Sequence, residues 1–302
     1  MNDKLKSLIK AVANNDTKTA KQYVKLIIDD DKTQANKTFC NHIKHILQTS
    51  TTNLIELPQD VKGILLMEDV SMSFNENRYF LSERESTVLE EVLEMYETSQ
   101  KLFGMGIQYL NSLILHGESG TGKTLFGRFL AYKLGLPFAY INFSNTISSY
   151  LGSTAKNINK AFEFIEKQRC IFMIDEVDAI GMVRGKEDVG EMARVTIGLM
   201  QSLDRVRNDT IIVGATNRLD MIDPALLRRF TMIHHVTKFS EQEMASMVIK
   251  YLEDVGVHYC EDDIRNYCKV QNSQALVIND VVRAIAKSIR GNSDFTLRGL
   301  HR

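Results

Sequence analysis

The sequence has few cysteines and no long apolar run, and each absence narrows the class of protein. Four cysteines occur among 302 residues, and no pair has the spacing of a zinc site or of a small secreted disulfide framework. No apolar stretch approaches the roughly 18 residues that cross a bilayer, and the first ten residues lack the apolar core of a signal peptide. We therefore expect a cytoplasmic protein in a reducing compartment, without membrane contact.

An excess of charge of one sign is also missing. The 37 Lys and Arg residues against 38 Asp and Glu residues leave a net charge of -1, which argues against binding to nucleic acid mainly by bulk electrostatics. The 44% hydrophobic and 25% charged content is typical of a globular chain and excludes a disordered or collagen-like one. We find no internal repeat, no low-complexity segment and no HExxH metal motif.

Residues 1–50 predict a small helical block. Apolar side chains recur at helical spacing twice, and a third helical segment is expected over 39–47. The block holds nine lysines and five aspartates, a formal charge of +4. We favour a helical bundle with a solvated lysine face, and the alternative is a docking module for a substrate, an adaptor or an acidic surface. The periodic positions are Leu5, Leu8, Ile9, Val12, Ala20, Tyr23, Val24 and Ile27.

Residues 51–81 are predicted to be a linker, with a short strand or helix at 64–67. An α/β domain at 82–238 follows and opens with an acidic amphipathic helix over 82–103. After residue 239 the pattern is helical only, which predicts a small helical lid domain and tail at 239–302. Ser240 and Glu243 form the capping box that starts its first helix.

Within the α/β domain, short apolar runs alternate with longer amphipathic segments. This alternation predicts a parallel sheet of five strands, covered by helices on both faces. The five predicted strands are 113–115, 138–143, 170–174, 211–213 and 232–236.

A glycine-rich run between the first strand and the next helix fits the pattern G-x-x-x-x-G-K-[ST]. Its glycines let backbone N–H groups turn toward phosphate oxygens, and the following helix N-terminus adds partial positive charge. Lys123 is expected to reach the β- and γ-phosphates, and Thr124 to bind Mg²⁺. The predicted nucleotide-binding residues are Gly117, Glu118, Ser119, Gly120, Thr121, Gly122, Lys123, Thr124 and Leu125.

Two adjacent carboxylates, Asp175 and Glu176, end the third predicted strand about 50 residues after this loop. Adjacent residues on a strand point to opposite sides, so the two acids are expected to do different work. We predict that Asp175 belongs to the Mg²⁺ shell, largely through water, and that Glu176 orients and deprotonates the attacking water.

With these two motifs, the sequence resembles the AAA family of ATPases over roughly residues 110–290. Residues 174–180 are similar to the second nucleotide motif of that family, and 210–218 to its sensor strand. The resemblance implies ATP hydrolysis with Mg²⁺, and makes Asn217 a polar sensor beside the γ-phosphate.

The segment 222–230 is similar to the family segment that ends in arginine fingers. The resemblance implies that Arg229 first and Arg228 second reach the γ-phosphate of a neighbouring subunit, where such a finger raises the rate by about 10³–10⁵. Asp204 resembles the acidic residue that couples subunits. A homo-oligomeric ring, usually a hexamer, is therefore expected.

Tyr150 and Leu151, followed by Gly152, look like the pore loop of this family. An aromatic side chain in a central channel can grip an extended polypeptide without reading its sequence. Residues 181–190 stand where a second pore loop would be. The alternative for Tyr150 is an aromatic side chain that anchors the loop to the core.

Two segments depart from the family pattern. No typical adenine-seating segment is recognisable around 75–85, and Ser273-Gln274-Ala275-Leu276 stands where Ser-Gly-Ala-Asp is common. The base preference therefore stays open, with ATP implied by the resemblance.

The favoured hypothesis is a ring ATPase that unfolds, remodels or disassembles protein substrates, chosen through residues 1–50. An ATPase that loads or accompanies DNA is possible but not favoured, because no winged-helix or helix-turn-helix pattern follows the lid. A scaffold that binds ATP but barely hydrolyses it is disfavoured by the intact Lys123, Asp175, Glu176 and Arg229.

Overall fold

The fold was analysed in a computed structural model, in which the chain divides into two compact units, residues 1–53 and 54–302. The described residues are 3–13, 17–30, 36, 40, 55, 57–71, 73–149, 154–180, 188–271, 273–291 and 294–297. No helix in these ranges combines the length and the apolar character needed to cross a membrane.

In its described residues, the first unit has the helices α1 at Asp3–Ala13 and α2 at Thr17–Asp30. They pack together and are joined by an ion pair between Lys4 and Asp30. Both helices follow the predicted periodicity. The third segment, expected over 39–47, falls outside the described residues except for Cys40.

The second unit is built on a six-stranded sheet with the order β1-β3-β4-β5-β2-β6. Five strands are parallel, as predicted, while β1 pairs antiparallel with β3 at the edge. The strands are β1 Leu66–Glu68, β2 Asn111–His116, β3 Phe138–Asn142, β4 Ile171–Asp175, β5 Ile211–Thr216 and β6 Met232–His235.

The sixth strand, β1, lies within the predicted linker and overlaps 64–67, where a short strand or helix was expected. Leu65 and Met67 are only 1% and 3% exposed and pack in the main core. Three residues are too few to show a strand period. The pairing with β3, which the local pattern does not encode, makes this segment part of the sheet.

Both faces of the sheet are covered, because side chains alternate along each strand. Ile114 of β2 faces one cluster with the helices α6 and α7, whereas Leu113 and Leu115 face the other with α3 and α4. The helices of this domain are α3 Glu83–Gly104, α4 Lys123–Leu134, α5 Phe143–Ser149, α6 Thr154–Ile165, α7 Asp188–Leu203 and the short α8 Pro224–Leu227.

The lid forms a third cluster of its own, around Val248, Ile264 and Val277. Its helices are α9 Glu241–Val255, α10 Glu261–Cys268 and α11 Gln274–Gly291. Ser240 caps α9 in the predicted capping box. The lid packs on the segment before α3, where Lys250 Nζ donates to the carbonyl of Tyr79 at 2.6 Å.

A second capping box, Ser82 with Glu85, starts α3 and is buried. Glu85 Oε2 accepts hydrogen bonds from Ser82 N at 3.0 Å and from Ser82 Oγ at 2.9 Å. Burial raises the pKa of Glu85 and the nearby Glu243 raises it further, while the bonds from Ser82 act in the opposite direction. The carboxyl of Glu243, in the box of α9, therefore lies close enough to act on the box of α3.

The two boxes make a matched pair for mutation. Ser82→Ala should lower the free energy of unfolding by about 1–2 kcal/mol, because it removes the cap of α3 and leaves the buried carboxyl of Glu85 with one bond fewer. Ser240→Ala, in an exposed box, should cost about 0.5–1 kcal/mol. Thermal and urea unfolding would measure both, and equal losses would contradict the role assigned to burial.

Candidate functional site

The site lies where the carboxyl ends of three neighbouring parallel strands meet. In the sheet β5 pairs with β4 on one side and with β2 on the other. The chain leaves β2 into the glycine-rich loop, leaves β4 at Asp175 and leaves β5 at Thr216. Because β2 is followed in sequence by the non-adjacent strand β3, this edge is a topological switch point, where open α/β sheets bind ligands.

The loop has a conformation that requires glycine at three positions. Gly117, Gly120 and Gly122 have φ of 153°, 78° and 93°. At Gly117 a side chain is also excluded by space, since a Cβ would lie 2.2 Å from the carbonyl oxygen of Val236. The loop leads directly into α4, which begins at Lys123, so its backbone donors and the helix dipole converge on one point.

Lys123 supplies a positive charge at the point where the loop meets α4, and this residue is only 8% exposed. Its ammonium donates at 2.8 Å to the carbonyls of Gly117 and Glu118 and to Oδ1 of Asn217. Burial lowers the pKa of Lys123, while Asp175 and Asp178 act in the opposite direction. Two loop carbonyls and one amide thus hold a buried positive charge beside the phosphate-binding backbone.

The two predicted Mg²⁺ residues are in direct contact. Thr124 Oγ1 donates to Asp175 Oδ2 at 2.9 Å, and the backbone N–H of Glu176 donates to Asp175 Oδ1 at 3.0 Å. A hydroxyl and a carboxylate are hard oxygen ligands, and Mg²⁺ is commonly held by one or two such groups together with phosphates and water. The residues present therefore fit the ion.

Glu176 stands in a backbone conformation that a non-glycine residue rarely adopts. Its φ is 55°, and among the described residues no other non-glycine residue has a positive φ. The strand ends at Asp175, so Glu176 lies outside β4, and the alternation of strand side chains expected from the sequence does not extend to it. Such strain concentrates at functional positions.

Asn217 follows β5 as predicted and reaches the site through its bond to Lys123. The turn that presents it is held by Thr216, whose hydroxyl donates to the buried Asp178 at 2.6 Å and accepts from the N–H of Arg218 at 2.9 Å. The sensor position is thereby linked to the segment that follows Glu176.

Comparison with known families identifies this arrangement. The ATPase family associated with various cellular activities (AAA) matches residues 113–238, a segment that contains all the residues described so far at the site. Residues 113–238 of the chain are an AAA ATPase domain. Hydrolysis of ATP is therefore the reaction of this domain.

Individual relatives agree with this assignment. An uncharacterized AAA family ATPase of Sinorhizobium fredii is 29% identical over 238 residues, which cover 75% of this chain and 70% of that protein. The peroxisomal ATPase pex6 of Schizosaccharomyces pombe is 34% identical over 176 residues, 55% of this chain and 19% of that protein. The proteasome-activating nucleotidase of Methanosphaerula palustris is 35% identical over 153 residues, 48% of this chain and 37% of that protein. The chain thus spans less than two fifths of the latter two relatives.

The two arginines predicted as fingers, Arg228 and Arg229, differ in their surroundings. The guanidinium of Arg229 forms a fork with Asp204, Nε to Oδ1 at 3.0 Å and Nη2 to Oδ2 at 3.2 Å. Its third nitrogen donates to the carbonyl of Ala225 at 2.9 Å. Arg228, by contrast, is exposed at the end of α8, and its guanidinium makes no hydrogen bond or ion pair with a described residue.

This contrast bears on the order in which the sequence ranks the two arginines as fingers, which stays a prediction. Arg229, the first choice for the finger, is paired within its own chain with Asp204, the predicted inter-subunit residue. Adjacent arginines look equivalent in a sequence, and a partner 25 residues away distinguishes them here.

The two predicted pore loops fall largely outside the described residues, whereas Leu125 falls within them. The pore-loop residues Tyr150 and Leu151 lie outside the described residues, and so do 181–187 of the second loop. Leu125 of the predicted nucleotide-binding set is 48% exposed on the first turn of α4.

Sequence analysis missed one residue of the site, Tyr140 of β3. Its hydroxyl donates to Asp175 Oδ2 at 3.2 Å, the same oxygen that Thr124 contacts. Burial, and then the charge of Asp175, raise the pKa of Tyr140. The one sequence signal is a hydroxyl within an otherwise apolar strand, and only the pairing of β3 with β4 shows what it contacts.

Tyr140 therefore contacts the carboxylate that we predict to bind Mg²⁺, and we expect it to position that carboxylate. Tyr140→Phe should raise the Mg²⁺ concentration for half-maximal ATPase activity by about three- to tenfold, since it removes one hydrogen bond to a charged group. Tyr132→Phe is the matched control, because that hydroxyl has no bond to a described residue. Titration of ATPase activity with Mg²⁺ would measure both, and an unchanged requirement in Tyr140→Phe would contradict the assignment.

Proposed function

We propose that the chain forms a homo-oligomeric ring, a hexamer, that couples hydrolysis of Mg-ATP to the unfolding, remodelling or disassembly of protein substrates through a central pore. The observation that carries the proposal is that the predicted catalytic residues lie together, whereas the hydrogen bonds of the predicted finger Arg229 do not include them. Lys123, Thr124, Asp175, Glu176 and Asn217 converge at one sheet edge, whereas the hydrogen bonds of Arg229 involve α7 and α8 and no residue of the loop.

These five residues and the loop backbone supply the groups that hydrolysis needs, except for a second positive charge at the γ-phosphate. The loop N–H groups bind the phosphates, and the ammonium of Lys123 exchanges its loop carbonyls for phosphate oxygens. The Glu176 carboxylate accepts a proton from the water whose oxygen attacks the γ-phosphorus, as the bond to the β–γ bridging oxygen breaks. Thr124 and Asp175 hold Mg²⁺, which neutralises charge on the β- and γ-phosphates when bound.

The missing positive charge is the reason for proposing that several copies of the chain form a ring. Charge accumulates on the γ-phosphoryl oxygens in the transition state, and a guanidinium from a neighbouring subunit would neutralise it. Arg228 is exposed and unengaged among the described residues, so it meets this requirement. A head-to-tail contact that repeats with closure gives a ring.

The substrate class is supported by the relatives and by composition. One relative is named for activating the proteasome, which favours protein as the substrate class. The net charge of -1 disfavours a DNA-associated ATPase. In the N-terminal unit Ile9 and Val12 of α1 are 50% and 60% exposed, and we assign this unit to docking of a substrate or adaptor.

Subunit mixing tests the shared site. Arg228→Ala and Glu176→Gln should each lower ATPase activity at least about 10³-fold when assembled alone. When the two variants are mixed, about a quarter of the interfaces in a random ring combine an intact Glu176 with an intact Arg228, so activity should return in part. Steady-state ATPase assays over a range of mixing ratios would measure this return.

Two controls sharpen the mixing experiment. Arg265→Ala, which removes an exposed lid arginine, should leave activity unchanged. Arg229→Ala should lower activity mainly through the loss of the Asp204 contact that holds the end of α8. A mixture that stays inactive, or a ring of Arg228→Ala subunits that keeps its activity while a ring of Arg229→Ala subunits loses it, would overturn the assignment of the finger.

Tyr150 tests the pore. Tyr150→Ala should retain most of the ATPase activity and lose capture of a fluorescently labelled, permanently unfolded polypeptide by the ATP-bound ring, measured in the Glu176→Gln background. Tyr150→Phe should retain both, because the gripping surface is the aromatic ring. Equal losses of hydrolysis and capture, or ATPase activity that rises with DNA and falls steeply with salt, would contradict the proposal.

A further inference from the structure

Thr216, the last residue of β5, lies where three segments of the site meet. Its hydroxyl donates to Asp178 Oδ1 at 2.6 Å and accepts from the backbone N–H of Arg218 at 2.9 Å. Its carbonyl accepts from the N–H of Gly117 at 3.2 Å. Thr216 and Asp178 are 1% and 6% exposed, so water competes little for the bond between them. Thr216 thus joins the end of β5 to the phosphate loop and to the segment after β4.

Asp178 belongs to the short 3₁₀ turn Val177–Ile180, which directly follows Glu176. This turn is closed onto Glu176, because the N–H of Ala179 donates to the carbonyl of Glu176 at 2.9 Å. Glu176 has a φ of 55°, and such a conformation persists in a non-glycine residue only where the surrounding structure imposes it. The bond from Thr216 to Asp178 anchors the turn to β5, and so it helps to impose the conformation of Glu176.

The second bond of the Thr216 hydroxyl acts on Asn217. Asn217 lies between Thr216 and Arg218, so the bond from the N–H of Arg218 to the hydroxyl closes a turn around it. The side chain of Asn217 reaches Lys123, whose Nζ donates to Asn217 Oδ1 at 2.8 Å. One hydroxyl is therefore bonded both to the segment after the predicted base and to the turn that carries the predicted sensor.

A buried carboxylate is costly, so its position in the fold calls for an explanation. Among the described residues four carboxylates are buried. Three of them are Glu85 in the capping box of α3, and Asp263 and Asp280 in the helices of the lid. The fourth, Asp178, lies instead beside the predicted nucleotide site, which favours a role in that site.

We propose that Thr216 and Asp178 are positioning residues for hydrolysis. Their bond fixes where the carboxylate of Glu176 lies relative to the side chain of Asn217. The inference rests on the proposed function, in which Glu176 accepts a proton from the attacking water and Asn217 lies beside the γ-phosphate. Neither Thr216 nor Asp178 needs to touch the nucleotide, because a displacement of about 1 Å in a catalytic group can by itself lower the rate about 10²-fold.

Removal of the hydroxyl tests this role in steady-state kinetics. Thr216→Val keeps the branched shape and loses both bonds of the hydroxyl, so kcat should fall about 10- to 100-fold. The dissociation constant for ATP should change less than about threefold, because the phosphate loop and Lys123 are unaltered. Thr216→Ser keeps the hydroxyl and should restore most of kcat. ATPase assays, and displacement of a fluorescent ATP analogue in the presence of Mg²⁺, would measure the two constants.

Thr210→Val is the matched control. Thr210 is fully buried just before β5 begins, and its hydroxyl donates to the carbonyl of Gln168 at 2.8 Å. Each change therefore removes one buried threonine hydroxyl, at opposite ends of the same strand, and both should lower the midpoint of thermal unfolding. Only Thr216→Val should lower kcat.

A double variant shows whether the two positioning residues act through their bond. If they do, Thr216→Val should lower kcat much less in an Asp178→Ala background than in the unaltered protein. Two losses that simply multiply would mean that each residue acts independently, and would contradict the pairing.

The outcomes separate this inference from the function beneath it. An unchanged kcat in Thr216→Val, or an equal loss of kcat in Thr210→Val, would overturn the positioning role. Weaker binding of ATP at an unchanged kcat would assign Thr216 to nucleotide binding and would overturn it as well. Hydrolysis that persists in Glu176→Gln would overturn the proposed role of Glu176 instead.

Discussion

The fit of Gly117 against the carbonyl of Val236 is the constraint on which the site depends. Its N–H donates to the carbonyl of Thr216 on β5 at 3.2 Å, and the N–H of Val236 donates to the carbonyl of His116 at 2.8 Å. The chain therefore leaves β2 while bonded to the strands on both sides. No residue with a Cβ fits here, and the direction of the loop, and with it the position of Lys123, follows from this junction.

A second feature of the structure is the contact between the lid and the α/β domain. The lid meets the phosphate loop at Gly120 and meets the start of α3 near the two capping boxes. At the end of β4, Glu176 has the positive φ described above. A conformation that is costly by itself persists only where the surrounding structure imposes it.

The pair of arginines shows how one short segment combines an anchored residue with an available one. Arg229 is fixed by Asp204 and by a carbonyl of its own helix, which holds the end of α8 in place. Arg228 is exposed directly beside this anchored residue. Under the proposed function, a rigid support is what a catalytic group reaching across an interface requires. The ion pair is part-exposed, so its direct contribution to stability is small, and its importance is positional.

The sequence by itself determined the five parallel strands, the capping box of Ser240 and Glu243, and the residues from Gly117 to Asn217 that we predict to bind nucleotide and Mg²⁺. These features depend on short-range chemistry, namely apolar periodicity, glycine conformations and carboxylates at a strand end. The tertiary structure alone decided the pairing of β1 with β3 at the sheet edge, the contact of Tyr140 with Asp175 across 35 residues, the ion pair of Arg229 with Asp204, and the contact of the lid with the phosphate loop at Gly120. Each of these depends on which distant segments pack together, and a local pattern carries no information about a partner that only the folded chain brings near.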